Sequence, residues 1–533
     1  MRHLLHLCAG TRASALRPPT PKRAGPFATV AMGFSTSLGD TIVTWEDYSD
    51  SGQPDESTGP DQISDTRAPP ALYGFRDRHG HGYLQVRGGS TVHRLDAPGT
   101  KFVVLQEAAR AGVVLRPREL KDEMEQLRAH AQLNPDVRDV WQRVAPISGG
   151  VEIDVGDASD VRIRVTAGGV EVGQGSPGTL FWRTQTMAPF VMPAAQGDLS
   201  LLDRYLNLDA SSVSLLKGWL SDVVAHPKDA NARFPILVLG GEEGSGKSFL
   251  GRRIQDIIDP SIVGIQTLPR EARDLAIIVQ QAHVSVFDNV RAIKPVMADN
   301  LCVTATGGSR VTRRLYSDGE LYVSRLHGAL VLNGIHSFID QPDLAQRCVP
   351  LTLRPLDDQK LESEASLMQA FSRDLPTIVR GLLDLVAGIL GHLPTVKVVR
   401  QERMIDFVAW LAAMERVDGV QEGTYQSAYS DSLDRGMLDS LLDDPVAVAV
   451  LELVDGHARE TWSGTASELY ATLERQVGQR TASGVGWPRT ANALSKRLTS
   501  LHAALRRQGV EVRRKHAKQR LIVIFRRDAA GDR

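Results

Sequence analysis

The sequence predicts an α/β protein built around a parallel sheet, with an N-terminal α+β module, a helical subdomain and a C-terminal winged-helix domain. Three observations lead to this fold class. Short apolar runs in the middle of the chain have the composition of buried parallel strands, and helical segments separate them. A mixture of helical spacing and alternating strands precedes this core. Amphipathic helices followed by a hairpin pattern close the chain.

The composition indicates several domains and no membrane span. The chain has 533 residues, which is more than one hydrophobic core usually serves. Hydrophobic residues make up 42% of it, but no uninterrupted apolar run reaches the roughly 18 residues of a membrane helix. Its three cysteines, Cys8, Cys302 and Cys348, are too few for a disulfide framework or a cluster of paired zinc ligands. We therefore expect a cytoplasmic protein in a reducing compartment, without membrane contact.

The segment 1–72 predicts no folded domain. Its first 39 residues hold five Lys or Arg and no acid, as in an organelle transit peptide, or else the start codon is misassigned and Met32 begins the protein. Residues 40–72 are acidic and rich in Pro, Gly and Ser, too poor in apolar side chains to offset the entropy of ordering. We expect 1–72 to be disordered or misassigned.

Residues 73–200 predict an α+β accessory module. Helical spacing runs through 105–133, and the segments VEIDV, VRIRVT and VEV then alternate with period two between turn signals. The pattern suggests no catalytic constellation in this module. A helical segment, 203–226, leads into the next domain, which we place at 201–355.

A phosphate-binding loop identifies 201–355 as a P-loop ATPase core. The apolar strand FPILVLG precedes the G-x-x-x-x-G-K-S pattern, and a helical pattern follows it. Glycines let backbone N–H groups turn toward phosphates, the lysine neutralises the β- and γ-phosphates, and the serine hydroxyl binds magnesium. We therefore expect ATP and Mg²⁺ as cofactors. The predicted nucleotide-binding residues are Gly241, Glu242, Glu243, Gly244, Ser245, Gly246, Lys247 and Ser248.

A second magnesium ligand is expected at the end of a neighbouring strand. The apolar run VSVF ends in Asp288, 41 residues after the lysine of the loop, which leaves room for a helix and a strand. The alternative is an aspartate that only ends a strand in a turn. Ser248 and Asp288 are thus the predicted metal ligands. Asn289 stands where many such ATPases carry a catalytic Glu, so it either orients water less effectively or the general base comes from elsewhere, with Glu242 and Glu243 as weak candidates.

Two further residues complete the predicted catalytic set with Lys247 and Asp288. The strand ALVLNGI carries Asn333 at its tip, where an amide can hold the attacking water, although a turn asparagine would look the same. Arg347 lies between a helix end and a new apolar strand, and in ring ATPases such an arginine reaches the neighbour's nucleotide. A surface ion pair is the alternative for Arg347.

The order of these motifs carries a family resemblance. The run TGGSRVTRRLY, an apolar strand ending in Asn and then DLAQR resemble the core of superfamily 3 helicases of the phage, plasmid and poxvirus primase-helicase type. Residues 234–355 also look like an ATP-binding protein class of prophages and integrative elements, in which a primase-polymerase domain, when present, precedes the ATPase.

The resemblance implies an AAA+-like core that assembles as a hexamer and moves along DNA, with a loop before the Asn333 strand facing the pore. Arg310, Arg313 and Arg314 fall in the segment that corresponds to the DNA-facing region, although solvated surface arginines would look the same. Asn289 departs from the family pattern, and the residues ahead of the core leave no room for a primase-polymerase domain.

The remainder of the chain predicts helices and a basic terminal domain. Residues 356–422 have the spacing of packed helices, and the Asp- and Ser-rich stretch 423–442 is expected to be a linker. Residues 443–528 predict three helices, the second with a capping box of Thr465 and Glu468, and then a hairpin. This is the winged-helix order.

Basic residues concentrate in this last domain. Between Arg489 and Arg527 there are twelve Lys or Arg and one acid, so the third helix and the hairpin suit nucleic-acid phosphates. The alternative is a basic face that docks on the ATPase. The predicted contacts are Lys496, Arg497, Arg513, Arg514 and Lys515.

Together these patterns predict an ATP-dependent DNA helicase or translocase of a phage or mobile-element replication system. Its expected partners are single-stranded or forked DNA, further copies of the chain in a hexamer, and a separate primase or polymerase. The alternative is a DNA-binding regulator that ATP switches without translocation.

Overall fold

The structure is a computed structural model that describes residues 72–229, 231–313, 321–335, 338–356, 363–456, 461–484, 486–516 and 520–526. The expected transit or disordered segment lies outside the described residues, as do Cys8 and Arg314. Leu72 is the first residue of a strand, so the predicted disordered segment does not include residue 72.

The N-terminal module contains two sheets and two helices. A five-stranded sheet has the order β1-β2-β3-β9-β4, and β5 to β8 form an antiparallel four-stranded sheet in sequence order. These strands are β1 (Leu72–Arg76), β2 (Gly82–Val86), β3 (Thr91–Arg94), β4 (Val140–Trp141), β5 (Val144–Ile147), β6 (Gly150–Asp154), β7 (Val161–Thr166), β8 (Gly169–Gln174) and β9 (Leu180–Trp182). The helices are α1 (Thr100–Arg110) and α2 (Pro117–Leu133). The continuous helical spacing over 105–133 is therefore broken, because Pro117 has no N–H to continue a helix and instead begins the second one.

The central domain is a five-stranded parallel sheet with helices on both faces, as the apolar runs predict. Its strand order is β11-β12-β15-β10-β16, and every neighbouring pair is parallel. The strands of this domain are β10 (Ile236–Gly240), β11 (Gln266–Thr267), β12 (Val284–Asp288), β13 (Gly308–Arg313), β14 (Leu321–Leu326), β15 (Ala329–Asn333) and β16 (Cys348–Thr352). Its helices are α3 (Ala210–Ala225), α4 (Lys247–Ile258), α5 (Ala272–Gln281), α6 (Pro295–Thr306) and α7 (Pro342–Ala345), and a 3-10 helix, Leu199–Tyr205, precedes them. Strands β13 and β14 form a separate antiparallel hairpin immediately before β15.

Three helices follow the sheet, and the third corrects the sequence prediction. They are α8 (Glu364–His392), α9 (Ile405–Asp418) and α10 (Thr424–Leu442), with a 3-10 turn, Leu393–Thr395, after the first. The prediction that 423–442 is a linker is wrong, because this stretch is almost entirely helix α10. Three of its polar residues are buried, and two of these are Tyr429, which donates to Cys348 O at 3.1 Å, and Gln426, which donates to the Glu415 carboxylate at 3.0 Å.

The predicted subdomain 356–422 does not have a core of its own. One hydrophobic cluster joins strands of the N-terminal module, α3 and α4, and helices α8 and α9, through residues such as Ile163, Trp219, Ile254 and Leu382. Among the described residues, α8 is also the one helix long and apolar enough to cross a membrane, with half of its apolar window buried in the protein. A core helix in this position has the same composition.

The C-terminal domain has a separate core. Its helices are α11 (Pro445–Gly456), α12 (Ala466–Ala482) and α13 (Ala491–Arg507), and its strands are β17 (Trp462–Thr465), β18 (Val510–His516) and β19 (Arg520–Arg526). The antiparallel sheet has the order β17-β19-β18. The three predicted helices and the hairpin are present, and the capping box of Thr465 and Glu468 is confirmed. The strand β17 was not predicted, because its four residues, Trp-Ser-Gly-Thr, carry no alternating apolar pattern.

Candidate functional site

The G-x-x-x-x-G-K-S segment forms a loop between the carboxyl end of β10 and the first turn of α4. Gly244 and Gly246 have φ values of 80° and 90°, which side chains rarely adopt, so glycine is required for the turn. A Cβ on Gly241 would stand 2.8 Å from Leu353 O, so this position also has no room for a side chain. The loop therefore presents the N-terminus of α4 to a cleft of about 850 Å³.

Lys247 lies in this cleft and bonds to its own loop. Its Nζ donates to Gly241 O at 2.9 Å and Glu242 O at 2.6 Å, and it lies 3.3 Å from Ser245 Oγ. Burial lowers the pKa of Lys247, and the negative charges of Asp288 and Glu243 oppose that shift. The Lys247 ammonium is surrounded by neutral carbonyl oxygens, so an anion that enters the cleft would stabilise its charge. Lys247 is therefore placed to bind phosphate.

Ser248 and Asp288 meet at the edge of the sheet. The Ser248 hydroxyl donates to Asp288 Oδ1 at 3.1 Å, across 40 residues of sequence. Parallel pairing brings them together, since β10 and β12 both flank β15 and end at the same edge. Neighbouring oxygens of an octahedral magnesium shell are about 2.9 Å apart. The hydroxyl and the carboxylate therefore fit as two adjacent Mg²⁺ ligands.

Asn333 lies beside this pair and has one oriented amide. Its Oδ1 accepts the backbone N–H of Asn289 at 2.9 Å, which fixes which way the amide points. The side chain is only 1% exposed, and its Nδ2 has no partner in the described part of the chain. Asn289 holds the left-handed conformation, with φ of 55°, which asparagine tolerates better than most side chains. Asn333 therefore lines the cleft with an oriented amide whose buried donor is unpaired.

Several residues of the cleft carry no sequence motif. The 3-10 helix and its exit supply Arg204, Tyr205 and Asn207, and the exit of β16 and the start of α8 supply a second wall. That wall includes Leu353, Leu356, Glu364 and Leu367, and Asn207 joins the two walls by a hydrogen bond from its side chain to Arg354 O. Only the three-dimensional fold brings these positions together, so no spacing in the sequence could identify them.

Arg347 does not lie in the cleft of its own chain. It precedes β16, and β16 pairs with β10 so that Cys348 faces Ile236 while Thr352 faces Gly240. Arg347 is thus at the amino end of the sheet, opposite the phosphate loop. Its guanidinium is 11% exposed and makes an ion pair with Asp343 at 2.5 Å.

The predicted nucleic-acid residues fall into two places. Arg310 and Arg313 belong to β13 of the hairpin before β15, and Arg314 lies outside the described residues. The others lie on α13 and β18. Lys496 and Lys515 are exposed, and Arg514 crosses from β18 to α13, donating to Thr499 Oγ1 at 2.6 Å.

Two of the C-terminal arginines have contacts within their domain. Arg497 donates to Asp444 at 2.6 Å, and Asp444 caps the start of α11. Arg513 stacks on Phe525 with its guanidinium 5.1 Å from the ring centroid. The surface formed by α13 and β18 therefore remains basic, but Arg497 also stabilises the domain.

Comparison with solved structures and with family models gives similar proteins. No curated protein matches the chain. Among solved structures, the apo C-terminal region of NrS-1 is similar, at 12% identity and a TM-score of 0.38, over 85% of this chain and 96% of that one. JCV helicase is similar at 15% identity and a TM-score of 0.21, over 42% of this chain and 61% of that one. A TM-score below 0.5 does not establish a shared fold.

Two family models match most of the chain beyond the N-terminal module. The model of the actinomycete integrative conjugative element replication protein, RepA, matches residues 200–444, and the model of the RepA C-terminal domain matches residues 446–531. Together they cover more than half of the 533 residues. The chain therefore belongs to the RepA family of replication proteins of actinomycete integrative conjugative elements.

Proposed function

We propose that the protein is an ATP-dependent DNA helicase or translocase that acts in the replication of such an element. The observation that carries this proposal is the meeting of Lys247, Ser248, Asp288 and Asn333 in one cleft below a phosphate-binding loop. Each of these side chains has the chemistry that nucleotide hydrolysis needs at its position. The superfamily 3 helicase pattern in the sequence supports the step from ATPase to helicase.

Some cleft residues neutralise the charge of the nucleotide phosphates, and another orients the attacking water. Lys247 neutralises the β- and γ-phosphates, and exchanges its bonds to Gly241 O and Glu242 O for phosphate oxygens. Ser248 and Asp288 hold Mg²⁺, which supplies charge neutralisation when bound. Asn333 orients the attacking water through its amide. The apolar side chains of Leu353, Leu356 and Leu367 suit the flat face of a base.

Arg347 belongs to a neighbouring subunit's site in this proposal. Arg347 precedes the first residue of β16, whereas the phosphate loop lies at the other end of the sheet. Its guanidinium is therefore too far away to contact a nucleotide bound by its own chain. A guanidinium supplied by the next subunit stabilises charge in the transition state. A closed ring, with six subunits in the superfamily 3 pattern, places one Arg347 at each interface.

DNA is the proposed substrate for movement. The exposed cations of α13 and β18 provide a surface for phosphates, with Lys496, Arg514 and Lys515 at its centre. The β13–β14 hairpin, with Arg310 and Arg313, provides a second contact near the ring axis. Single-stranded or forked DNA is the substrate that such a motor engages, and a separate primase or polymerase would extend the exposed strands.

One observation favours a second candidate, an ATP-switched DNA-binding regulator that does not translocate. Asn289 occupies the place of a catalytic acid, and an amide cannot accept the proton of the attacking water. Glu243 lines the cleft but is exposed and loop-borne. A slow hydrolase with this site would control assembly rather than drive movement.

The rate of ATP hydrolysis, measured with and without single-stranded DNA, tests the proposal. A motor hydrolyses ATP faster when DNA is present, because DNA completes the active ring. A switch hydrolyses slowly in both conditions. Absence of hydrolysis in both conditions, with nucleotide bound, would contradict the proposal.

A further inference from the structure

Helix α13 is anchored to the central part of the molecule by its last residue. Arg507 Nη2 donates to both carboxylate oxygens of Glu402, at 2.9 and 2.8 Å, and Arg507 Nε makes a further ion pair with Asp434 of α10 at 2.9 Å. Glu402 is 12% exposed, so this carboxylate depends on Arg507 and on a hydrogen bond from Ser430. We refer to these bonds of Arg507 with Glu402 and Asp434 as the Arg507 contact. Hydrogen bonds between two charged groups are shorter and stronger than those between neutral groups.

The residue after Glu402 is Arg403, which connects the Arg507 contact to Arg347. Arg403 pairs with Asp343 Oδ1 at 2.9 Å, and Asp343 Oδ2 pairs with Arg347 at 2.5 Å. Arg347 also donates to Asp343 O at 2.7 Å. Helix α7, which carries Asp343, packs against both α10 and α13. Arg347 is thus held within its own chain by a residue that the docked C-terminal domain supports.

The Arg507 contact lies on the face of α13 that nucleic acid would use. Arg507 follows Lys496 by eleven residues, which is about three helical turns, so both side chains project from the same face. Lys496 is exposed at one end of this face, while Arg507 is engaged with carboxylates at the other. A guanidinium binds phosphate in the same forked geometry as carboxylate. Phosphates laid along α13 therefore compete with Glu402 and Asp434 for Arg507.

We propose that the docked C-terminal domain is autoinhibitory: the Arg507 contact keeps Arg347 paired with Asp343, and nucleic acid on α13 breaks that contact and releases Arg347. The proposal rests on the proposed function, in which Arg347 serves a neighbouring subunit. The partner that lifts the inhibition is a nucleic-acid backbone, recognised by the α13 face from Lys496 to Arg507. The pair of Arg347 with Asp343 is partly exposed on the Asp343 side, so we expect the inhibition to be modest, roughly two- to fivefold.

The test uses the full chain and two readouts. The first is hydrogen exchange of the backbone at 399–404, measured without nucleotide, with and without a DNA oligonucleotide. The second is ATP hydrolysis without DNA. The variants are Arg507→Ala, the exchanged pair Arg507→Glu with Glu402→Arg, and the matched control Arg475→Ala. Arg475 is exposed on α12 of the same domain, and its Nε donates to Ala471 O of its own helix.

In the wild-type protein, DNA should raise exchange at 399–404. Without DNA, Arg507→Ala should raise that exchange and raise hydrolysis by roughly two- to fivefold, and the exchanged pair should restore both toward wild type. Arg475→Ala should change neither. If Arg507→Ala exchanges at 399–404 as slowly as the wild type, or if bound DNA leaves that exchange unchanged, the proposed role of the Arg507 contact is overturned. Raised exchange with unchanged hydrolysis would overturn the link to Arg347. A wild type without any hydrolysis would instead contradict the proposed function, and the exchange data would still decide the docking.

Discussion

Lys247 and Asp288 are the residues on which the proposed chemistry depends most. Both act on phosphate or magnesium charge, and neither supports the hydrophobic core. Lys247→Ala or Asp288→Ala should therefore abolish ATP turnover while the thermal midpoint stays near that of the wild type. Lys121→Ala, in the exposed face of α2, is the matched control and should retain full turnover. Wild-type turnover in either purified cleft variant would rule out this site.

His226 gives the molecule a pH-dependent contribution to stability. Burial alone would lower its pKa, but the Asp222 carboxylate, 3.1 Å from Nδ1, raises the pKa of His226 from 6.5 to about 9. Because the folded state holds this proton more tightly than the unfolded state, the contribution is complete below pH 6.5. It is lost as pH rises through about 9.

We expect this loss to be roughly 1 kcal/mol, since the imidazole is 36% exposed and solvent screens the pair. Denaturant unfolding of His226→Gln should show a flatter stability curve between pH 6.5 and 9 than the wild type. His392→Gln, at an exposed histidine, should keep the wild-type slope. Equal slopes in His226→Gln and the wild type would contradict this role.

At the scale of elements, the β18–β19 hairpin and α13 act as one basic surface, because Arg514 of β18 is bonded to Thr499 of α13. Charge reversal at Arg513, Arg514 and Lys515 should weaken DNA binding at low salt. It should also reduce the slope of log K against log salt by roughly two to three units on duplex DNA, since each neutralised phosphate contributes about 0.9. Arg475→Glu on α12 is the control for general charge. An unchanged slope in the triple variant would mean that the surface binds protein instead.

The elements also show where sequence patterns succeed. Strands β10, β12 and β15 are continuous apolar runs, because both faces of a parallel sheet are covered, and each ends where a functional residue was predicted. Spacing alone could therefore place Lys247, Asp288 and Asn333. The Ser248–Asp288 contact follows from parallel strand order, which the sequence only suggested.

The elements and contacts that the sequence did not predict also have a physical explanation. Helix α10 looked like a linker because its buried positions include the polar residues Gln426, Tyr429 and Ser432. Tyr429 and Ser432 bond to carbonyls of β16, which is far away in sequence. Two-residue β11 is too short for any periodicity. Arg507 was only counted among the twelve cations between Arg489 and Arg527, because nothing near it in sequence reveals Glu402 or Asp434.

At the scale of the whole molecule, one hydrophobic cluster joins the N-terminal module, the sheet and the helices α8 and α9. These parts should therefore move as one body, whereas the C-terminal domain has its own core, which Leu441 of α10 joins, and bonds to the body through Arg507 and Glu402. This division suits a motor body with an attached DNA-binding domain.

Assembly gives a prediction at the same scale. Arg347→Ala subunits and Lys247→Ala subunits should each be inactive alone, and a mixture should recover part of the ATP turnover. In a mixed ring some interfaces pair an intact Arg347 with an intact Lys247. Sedimentation must show that the mixture assembles. An assembled mixture without recovery would count against an arginine that acts across subunits.

Strand displacement tests the central claim most directly, because it separates a motor from a switch. The measurement follows release of a labelled strand from a forked DNA duplex, with ATP and Mg²⁺, by the wild-type protein and by Lys247→Ala as the control. The account predicts displacement that requires ATP hydrolysis and is absent in Lys247→Ala. Hydrolysis and tight DNA binding by the wild type without any strand displacement would contradict the helicase and favour the ATP-switched regulator.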